Sequence, residues 1–232
     1  MDGIEPFERF LIDVDRDGAL RETRSQAEAT LSRRRLFGLT IGGAAAVVLA
    51  RGQGASAARL SASDIDILNY ALVLEYLQAA FYTEAERSKA IRGKAGEAAK
   101  VVGAVERAHV AAFLDLLGSK AVKRPRFDFQ GVTENPRNFL KTAVAFEDLA
   151  VAAYKGQAIR IESPAVVSAA LGIHTVEARH AAWMRHLYGI KPAVNAFDAP
   201  DSKKQVLALV EDTGFVVDSP RVKAKRKPGY TG

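Results

Sequence analysis

Two short runs, Glu106-x-x-His109 and Glu177-x-x-His180, repeat one arrangement of side chains. Residues three apart share a helix face, so each run offers a carboxylate and an imidazole to the same neighbour. A lone glutamate precedes each run, Glu75 by 31 residues and Glu147 by 30. All four sites sit on apolar rows at offsets of three, four or seven. Glu75 stands with Leu68, Leu72, Ala79 and Tyr82, and Glu106 and His109 stand with Val102 and Phe113. Glu147 stands with Leu140, Ala143, Val151 and Tyr154, and Glu177 and His180 stand with Ile173 and Met184. Such rows face the core. Burying four ionised carboxylates with two imidazoles costs on the order of several kcal/mol per unpaired ion, so packing does not account for them. Arg107 and Arg179 follow the glutamates by one and two positions and point roughly 100° and 200° away around a helix. Two divalent cations would balance the charge, and mixed oxygen and nitrogen donors suit iron or manganese. The expected metal ligands are therefore Glu75, Glu106, His109, Glu147, Glu177 and His180, holding two Fe or Mn ions.

These side chains need four helices to carry them. The first is expected from an N-cap at Ser63 to about Lys89, and the second after a break at Gly93 to Gly96, ending at Gly118. A long connection with Pro125 and Gly131 follows. Asn135-Pro136 then reads as the cap and first turn of a third helix ending near Gly156, and Ser163-Pro164 repeats the device for a fourth ending near Gly189. The fold class is all-α. Two short loops and one long middle crossover describe a bundle whose two helix pairs repeat each other.

The order Glu, Glu-x-x-His, Glu, Glu-x-x-His resembles the di-metal carboxylate proteins of the ferritin-like superfamily. The stretches Leu68 to Leu77, Phe146 to Tyr154 and Val176 to Trp183 are similar to its branch of secreted bacterial, desiccation-related proteins, over about Ser61 to Tyr188. The resemblance implies a ferritin-like four-helix bundle, with the six residues as ligands and Glu106 and Glu147 as bridges between the metals. Members often carry a second acid one turn after the first glutamate, where this chain has Gln78.

Ahead of the bundle, Arg33, Arg34 and Arg35 precede an uncharged run of 15 residues, Leu36 to Ala50, then Arg51 and Ala55-Ser56-Ala57. The run is shorter than the roughly 20 apolar residues of a membrane span. The pattern resembles a bacterial twin-arginine export signal with a small-x-small cleavage site. A retained anchor is the other reading. Asp13, Asp15, Asp17 and Gly18 imitate the first half of a calcium loop, but its twelfth position is Arg24 where a bidentate glutamate belongs.

The expected organisation is a leader at 1–57, a bundle at 58–190 and a C-terminal extension at 191–232. In the extension Asp201-Ser202 would cap a short helix through Val210. Its Val206, Leu207 and Leu209 would pack on the bundle or make a small homodimer contact. There is no cysteine, which excludes thiol chemistry and iron–sulfur clusters. Residues 1–57 hold 8 Lys/Arg and 8 Asp/Glu, so the net +6 lies beyond them, five of its cations in Arg221, Lys223, Lys225, Arg226 and Lys227. That tail reads as a solvated end, or as a weak hold on anionic envelope or membrane surface. No nucleic-acid partner is expected.

Two functions fit. One is an exported oxidoreductase reacting with O2 or H2O2, by peroxide removal or ferrous oxidation, with a manganese-catalase-like variant. The other is a non-catalytic envelope or stress protein of the desiccation type, in which the bundle, with or without metal, is a structural scaffold or sequesters metal. His174, three residues before Glu177, is a candidate to orient that carboxylate. His186 reads as surface, and Tyr82, Tyr154 and Tyr188 read as bundle filler or electron relays.

Overall fold

The computed structural model describes residues 60–217. The arginine-containing leader, the calcium-loop imitation and the basic tail lie outside the described residues. Among the described residues there are five α-helices: α1 (Ala62–Ser88), α2 (Gly93–Leu117), α3 (Pro136–Ala158), α4 (Pro164–Tyr188) and α5 (Lys203–Thr213).

Local chemistry places their ends. The N-cap of α1 is Ser61 rather than Ser63, its hydroxyl accepting the Asp64 N–H at 3.0 Å. With Ser61 as cap, Asp64 falls in the first turn, where its carboxylate serves another purpose. It is 1% exposed and accepts the backbone N–H groups of Glu162 (2.9 Å) and Ser163 (3.1 Å) between α3 and α4. Asn135 and Ser163 cap α3 and α4 ahead of Pro136 and Pro164. Gly118 and Gly189 end α2 and α4 at φ 52° and 88°, a region that favours glycine. Helix α3 runs two residues past Gly156, because the Asp201 backbone lies on that glycine: Asp201 N–H donates to Ala152 O at 3.1 Å, and a Cβ at 156 would land on the Asp201 carbonyl.

The same bonds fix helix direction. The start of α1 touches the α3–α4 turn through Asp64. Its end touches the approach to α3, where Ser88 Oγ donates to Thr133 O at 3.1 Å and Thr133 Oγ1 donates to Glu84 at 2.7 Å. Helices α1 and α3 are therefore antiparallel, and α2 runs with α3. Only the long connection 118–135 can join two helices pointing the same way, which is the ferritin-like crossover. It is pinned in the core by Phe129, whose ring meets Phe81 at 5.4 Å and Phe215 at 5.5 Å. A bridge between Phe127 and Val216 reinforces it. Helix α5 packs through Val206 and Val210; Leu207 and Leu209, expected to pack, are 39% and 51% exposed. The burying pair is four apart, one face of an 11-residue helix.

Asp64→Ala leaves two N–H groups without a charged acceptor and should lower unfolding stability by about 2–3 kcal/mol. Denaturant unfolding checks this, and a loss below about 0.5 kcal/mol would show water replacing the carboxylate.

Candidate metal centre

Two apolar clusters fill the bundle. One surrounds Phe81, with Phe139 stacked at 5.2 Å and Phe146 edge-on at 5.1 Å. The other holds Leu68, Leu72, Phe113, Leu117 and Val166. The polar layer expected from the rows lies in the same interior. Glu75, Glu106, Glu147 and Glu177 are each 0% exposed, and His109 and His180 are 5% and 6% exposed.

The imidazoles tie the four helices together. His109 Nδ1 lies 3.2 Å from Glu75 Oε2, 3.3 Å from Glu106 Oε2 and 3.2 Å from Glu177 Oε1. His180 Nδ1 lies 2.9 Å from Glu106 Oε1, 3.6 Å from Glu147 Oε2 and 4.0 Å from Glu177 Oε2. The closest of these approaches is not a hydrogen bond: Glu106 Oε1 and His180 Nδ1 both lack a hydrogen-bond partner, as do Glu147 Oε2 and Glu177 Oε1. The contact is one of charge, and four buried polar atoms face the same small space unsatisfied. Such atoms are costly in a dry core unless something bonds them.

The donor set fits a pair of cations. Glu75, Glu106, His109 and Glu177 bring ligand atoms within 4.8 Å of one another, and so do Glu106, Glu147, Glu177 and His180. Glu106 and Glu177 belong to both groups. The shared pair is thus the two glutamates of the Glu-x-x-His runs, where the resemblance implied Glu106 and Glu147. Each run anchors its histidine to one group and reaches the other with its carboxylate, so Glu147 stands at the outer edge of its group, as Glu75 does at the other.

Two groups missed as part of this layer complete it symmetrically. Tyr82, seven residues after Glu75, donates its hydroxyl to Glu147 Oε1 at 2.5 Å. Tyr154, seven after Glu147, donates to Glu75 Oε1. Each helix pair thus supplies the phenol that holds the other pair's outer carboxylate. The signal was in the rows, since a tyrosine on the row of a buried acid must find an acceptor. Gln78, 2% exposed, adds a long contact from Nε2 to Glu177 Oε2 at 3.4 Å.

The other candidates lie apart. Tyr188 packs beside Arg137, whose guanidinium sits 6.0 Å from its ring. His174 Nε2 has no hydrogen-bond partner and makes none of the contacts that would orient Glu177; burial and the Lys155 charge lower its pKa. Arg107 turns outward to Thr83 (3.0 Å) and Glu86 (2.8 Å), and Arg179 is exposed, as the helix geometry requires.

The family model described as a ferritin-like domain matches residues 63–189, from α1 to the cap of α4. The chain belongs to the ferritin-like domain family. No curated protein matches it. The match spans α1 to α4 and all six clustered residues, and fold and family agree.

Electrostatics set what a cation must displace. Burial works against a charged His109, but the Glu75 charge and the contacts with Glu106 and Glu177 outweigh it and hold its pKa well above the usual range. Burial likewise opposes His180, and Glu106 and Glu147 raise it to about 10. Burial and then the Glu106 charge push Glu177 upward. Groups with raised folded-state values stabilise the fold fully below their unfolded values, and that contribution is lost as pH rises through the folded ones. The metal-free midpoint should therefore fall as pH rises from 6.5 towards about 10, the window of His180. Cations compete with those protons, so their affinity should rise over the same window with proton release on binding. Thermal unfolding with and without chelator tests both; a flat metal-free profile would show the imidazoles neutral.

Proposed function

We propose that the layer holds two Fe or Mn ions and that the protein uses them in a reaction with O2 or H2O2. The observation that supports this reading is the pair of four-residue groups sharing Glu106 and Glu177. Glu106 and Glu177 would be common to both ions, and such a pair would supply redox chemistry towards one small oxidant. The chain's own residues do the rest. Glu75, Glu106, His109 and Glu177 would hold one ion, and Glu106, Glu147, Glu177 and His180 the other. The phenols of Tyr154 and Tyr82 each occupy one oxygen of Glu75 and Glu147; the second oxygen of Glu147 has no hydrogen-bond partner, and that of Glu75 faces His109 Nδ1 at 3.2 Å. Burial keeps bulk water from the layer, which strengthens every charge interaction inside it.

The leader adds export by the twin-arginine route to this reading. Proteins taking that route fold first, so the metal would be loaded before the chain leaves the cytoplasm for the envelope. The complete burial of the four carboxylates favours the second reading, sequestration without turnover, because a sealed layer holds ions slowly exchanging.

The test uses the full chain from metal-supplemented cells, with Fe and Mn measured per chain and peroxide loss and ferrous oxidation followed in the wild type and in Glu106→Ala. The expected result is two ions per wild-type chain, with oxidant consumption abolished by the substitution. Bound but inert metal would favour sequestration, and a wild type without metal would overturn the reading.

A further inference from the structure

The two helix pairs mirror each other at the layer, but what lies beyond their phenols differs. On the Tyr82 side aromatic rings pack about the phenol. The Tyr82 ring meets Phe81 at 5.2 Å and Phe139 at 5.9 Å, and Phe81 stacks on Phe139. On the Tyr154 side there is a cavity. Its lining repeats the ligand rows on all four helices: Ala71 and Leu68 lie four and seven before Glu75, and Phe113 lies four after His109. Tyr154 lies seven after Glu147, and Ile173 and Ala170 lie four and seven before Glu177. The cavity therefore abuts the layer at Glu75, separated from it by the Tyr154 hydroxyl.

Size and chemistry narrow the occupant. About 30 Å³ is open to the centre of a water-sized sphere. One water needs roughly 10–15 Å³ by this measure, so the space suits a molecule of two or three heavy atoms. Aliphatic and aromatic groups make nearly all of the wall. Its polar side chains are Tyr70, Tyr154 and Gln157. Of these, Tyr154 is committed to Glu75, and the Tyr70 hydroxyl, which has no partner, and Gln157 could hold at most one water at their end, fewer groups than the four hydrogen-bonding positions of hydrogen peroxide. A water needs two to four polar partners, and hydrogen peroxide, with two donors and two acceptor oxygens, needs at least as many. An apolar diatomic needs none, and it gains dispersion contacts in a cavity that water fills poorly.

We propose that the cavity bounded by Ala71, Phe113, Tyr154 and Ala170 is a dioxygen site that serves the metal position formed by Glu75, Glu106, His109 and Glu177. This rests on the metal reading above and decides within it for dioxygen over peroxide. Tyr154 is the positioning residue between gas and carboxylate.

Xenon is the probe, because it enters dry apolar cavities of this kind and needs no metal. Crystals of the full chain, metal-free, would be pressurised with xenon as wild type, Ala71→Val and Ala170→Leu, the second substitution guarding against a misfolded first. In parallel the ferrous-loaded proteins would be mixed with dioxygen or with hydrogen peroxide. Xenon is expected between Ala71 and Tyr154 in the wild type and absent from both variants. The variants are expected to keep their metal content, to react with dioxygen about tenfold more slowly or worse, and to react with peroxide at the wild-type rate. No xenon in the wild type, an unchanged dioxygen rate, or an equal slowing of both oxidants would overturn the proposal. A wild type that takes up xenon but loads no metal overturns the dioxygen assignment through the metal reading, and the xenon density distinguishes that failure from an absent cavity.

Discussion

Glu106→Ala is expected to strip both metal ions from the protein, and Glu75→Ala only one. The difference follows from sharing. Glu106 Oε1 faces His180 and Glu106 Oε2 faces His109, so its two oxygens address the two halves of the layer. Glu75 belongs to one group alone. Removing a shared carboxylate takes one ligand from each site and one negative charge from the pair, and leaves three donors for each of two mutually repelling cations. Removing Glu75 leaves the group of Glu106, Glu147, Glu177 and His180 entire. Tyr154→Phe should fall below both, weakening the ion at Glu75 by about 10–100-fold, the usual effect of losing a group that orients a ligand. Elemental analysis after dialysis reads the stoichiometry. Thermal midpoints give a second measure, since each ion at a thousandfold excess over its Kd adds about 4 kcal/mol to stability. If Glu75→Ala and Glu106→Ala each lost a single ion, the assignment of Glu106 to both sites would be wrong.

What the sequence revealed and what it hid have the same cause: helical rows specify which side of a helix is buried, not how far it is rotated against its neighbours. The rows placed all six ligand candidates in the core and sent Arg107 outward. Cap residues located the starts of α3 and α4 and the ends of α2 and α4, because Asn135-Pro136, Ser163-Pro164, Gly118 and Gly189 act through local backbone chemistry. The first cap failed because Ser61 and Ser63 offer the same hydroxyl. What decides between them is the distant demand of the Glu162 and Ser163 N–H groups for Asp64. Which carboxylates are common to both groups depends on how the two pairs meet; the folded chain puts Glu106 and Glu177 in both, where the resemblance implied Glu106 and Glu147. The reciprocal phenols were half visible: Tyr82 and Tyr154 stood on the right rows at matched offsets, but that each crosses to the other pair is a property of the antiparallel α1–α3 contact. Leu207 and Leu209 were expected to pack, yet the face of α5 that meets the bundle is set by Val206 and Val210.

A bundle in which all eight of these polar side chains are made apolar should be more stable than the metal-free wild type. The substitutions are Glu75→Leu, Glu106→Leu, His109→Leu, Glu147→Leu, Glu177→Leu and His180→Leu, with Tyr82→Phe and Tyr154→Phe so that no phenol loses its acceptor in a dry core. In the metal-free protein four carboxylates and two imidazoles sit with almost no access to water, and four of their polar atoms have no hydrogen-bond partner. Replacing a buried charged cluster by packed apolar groups commonly stabilises by about 1–4 kcal/mol, because the desolvation cost exceeds the attraction among the charges. Leucine is somewhat larger than glutamate, and the overpacking opposes part of that gain by about 1–3 kcal/mol. The layer is large and its satisfaction incomplete, so the balance should stay on the stabilising side, by roughly 1 kcal/mol or about 3 °C in Tm for a domain of this size. The variant should bind no Fe or Mn, and adding metal should raise the wild type's midpoint but not its own. A variant melting below the metal-free wild type would mean that the ion pairs themselves hold the four helices together. In the expected case the carboxylates and histidines weaken the fold that carries them, and a ligand bound at their centre is the physical reason for keeping them.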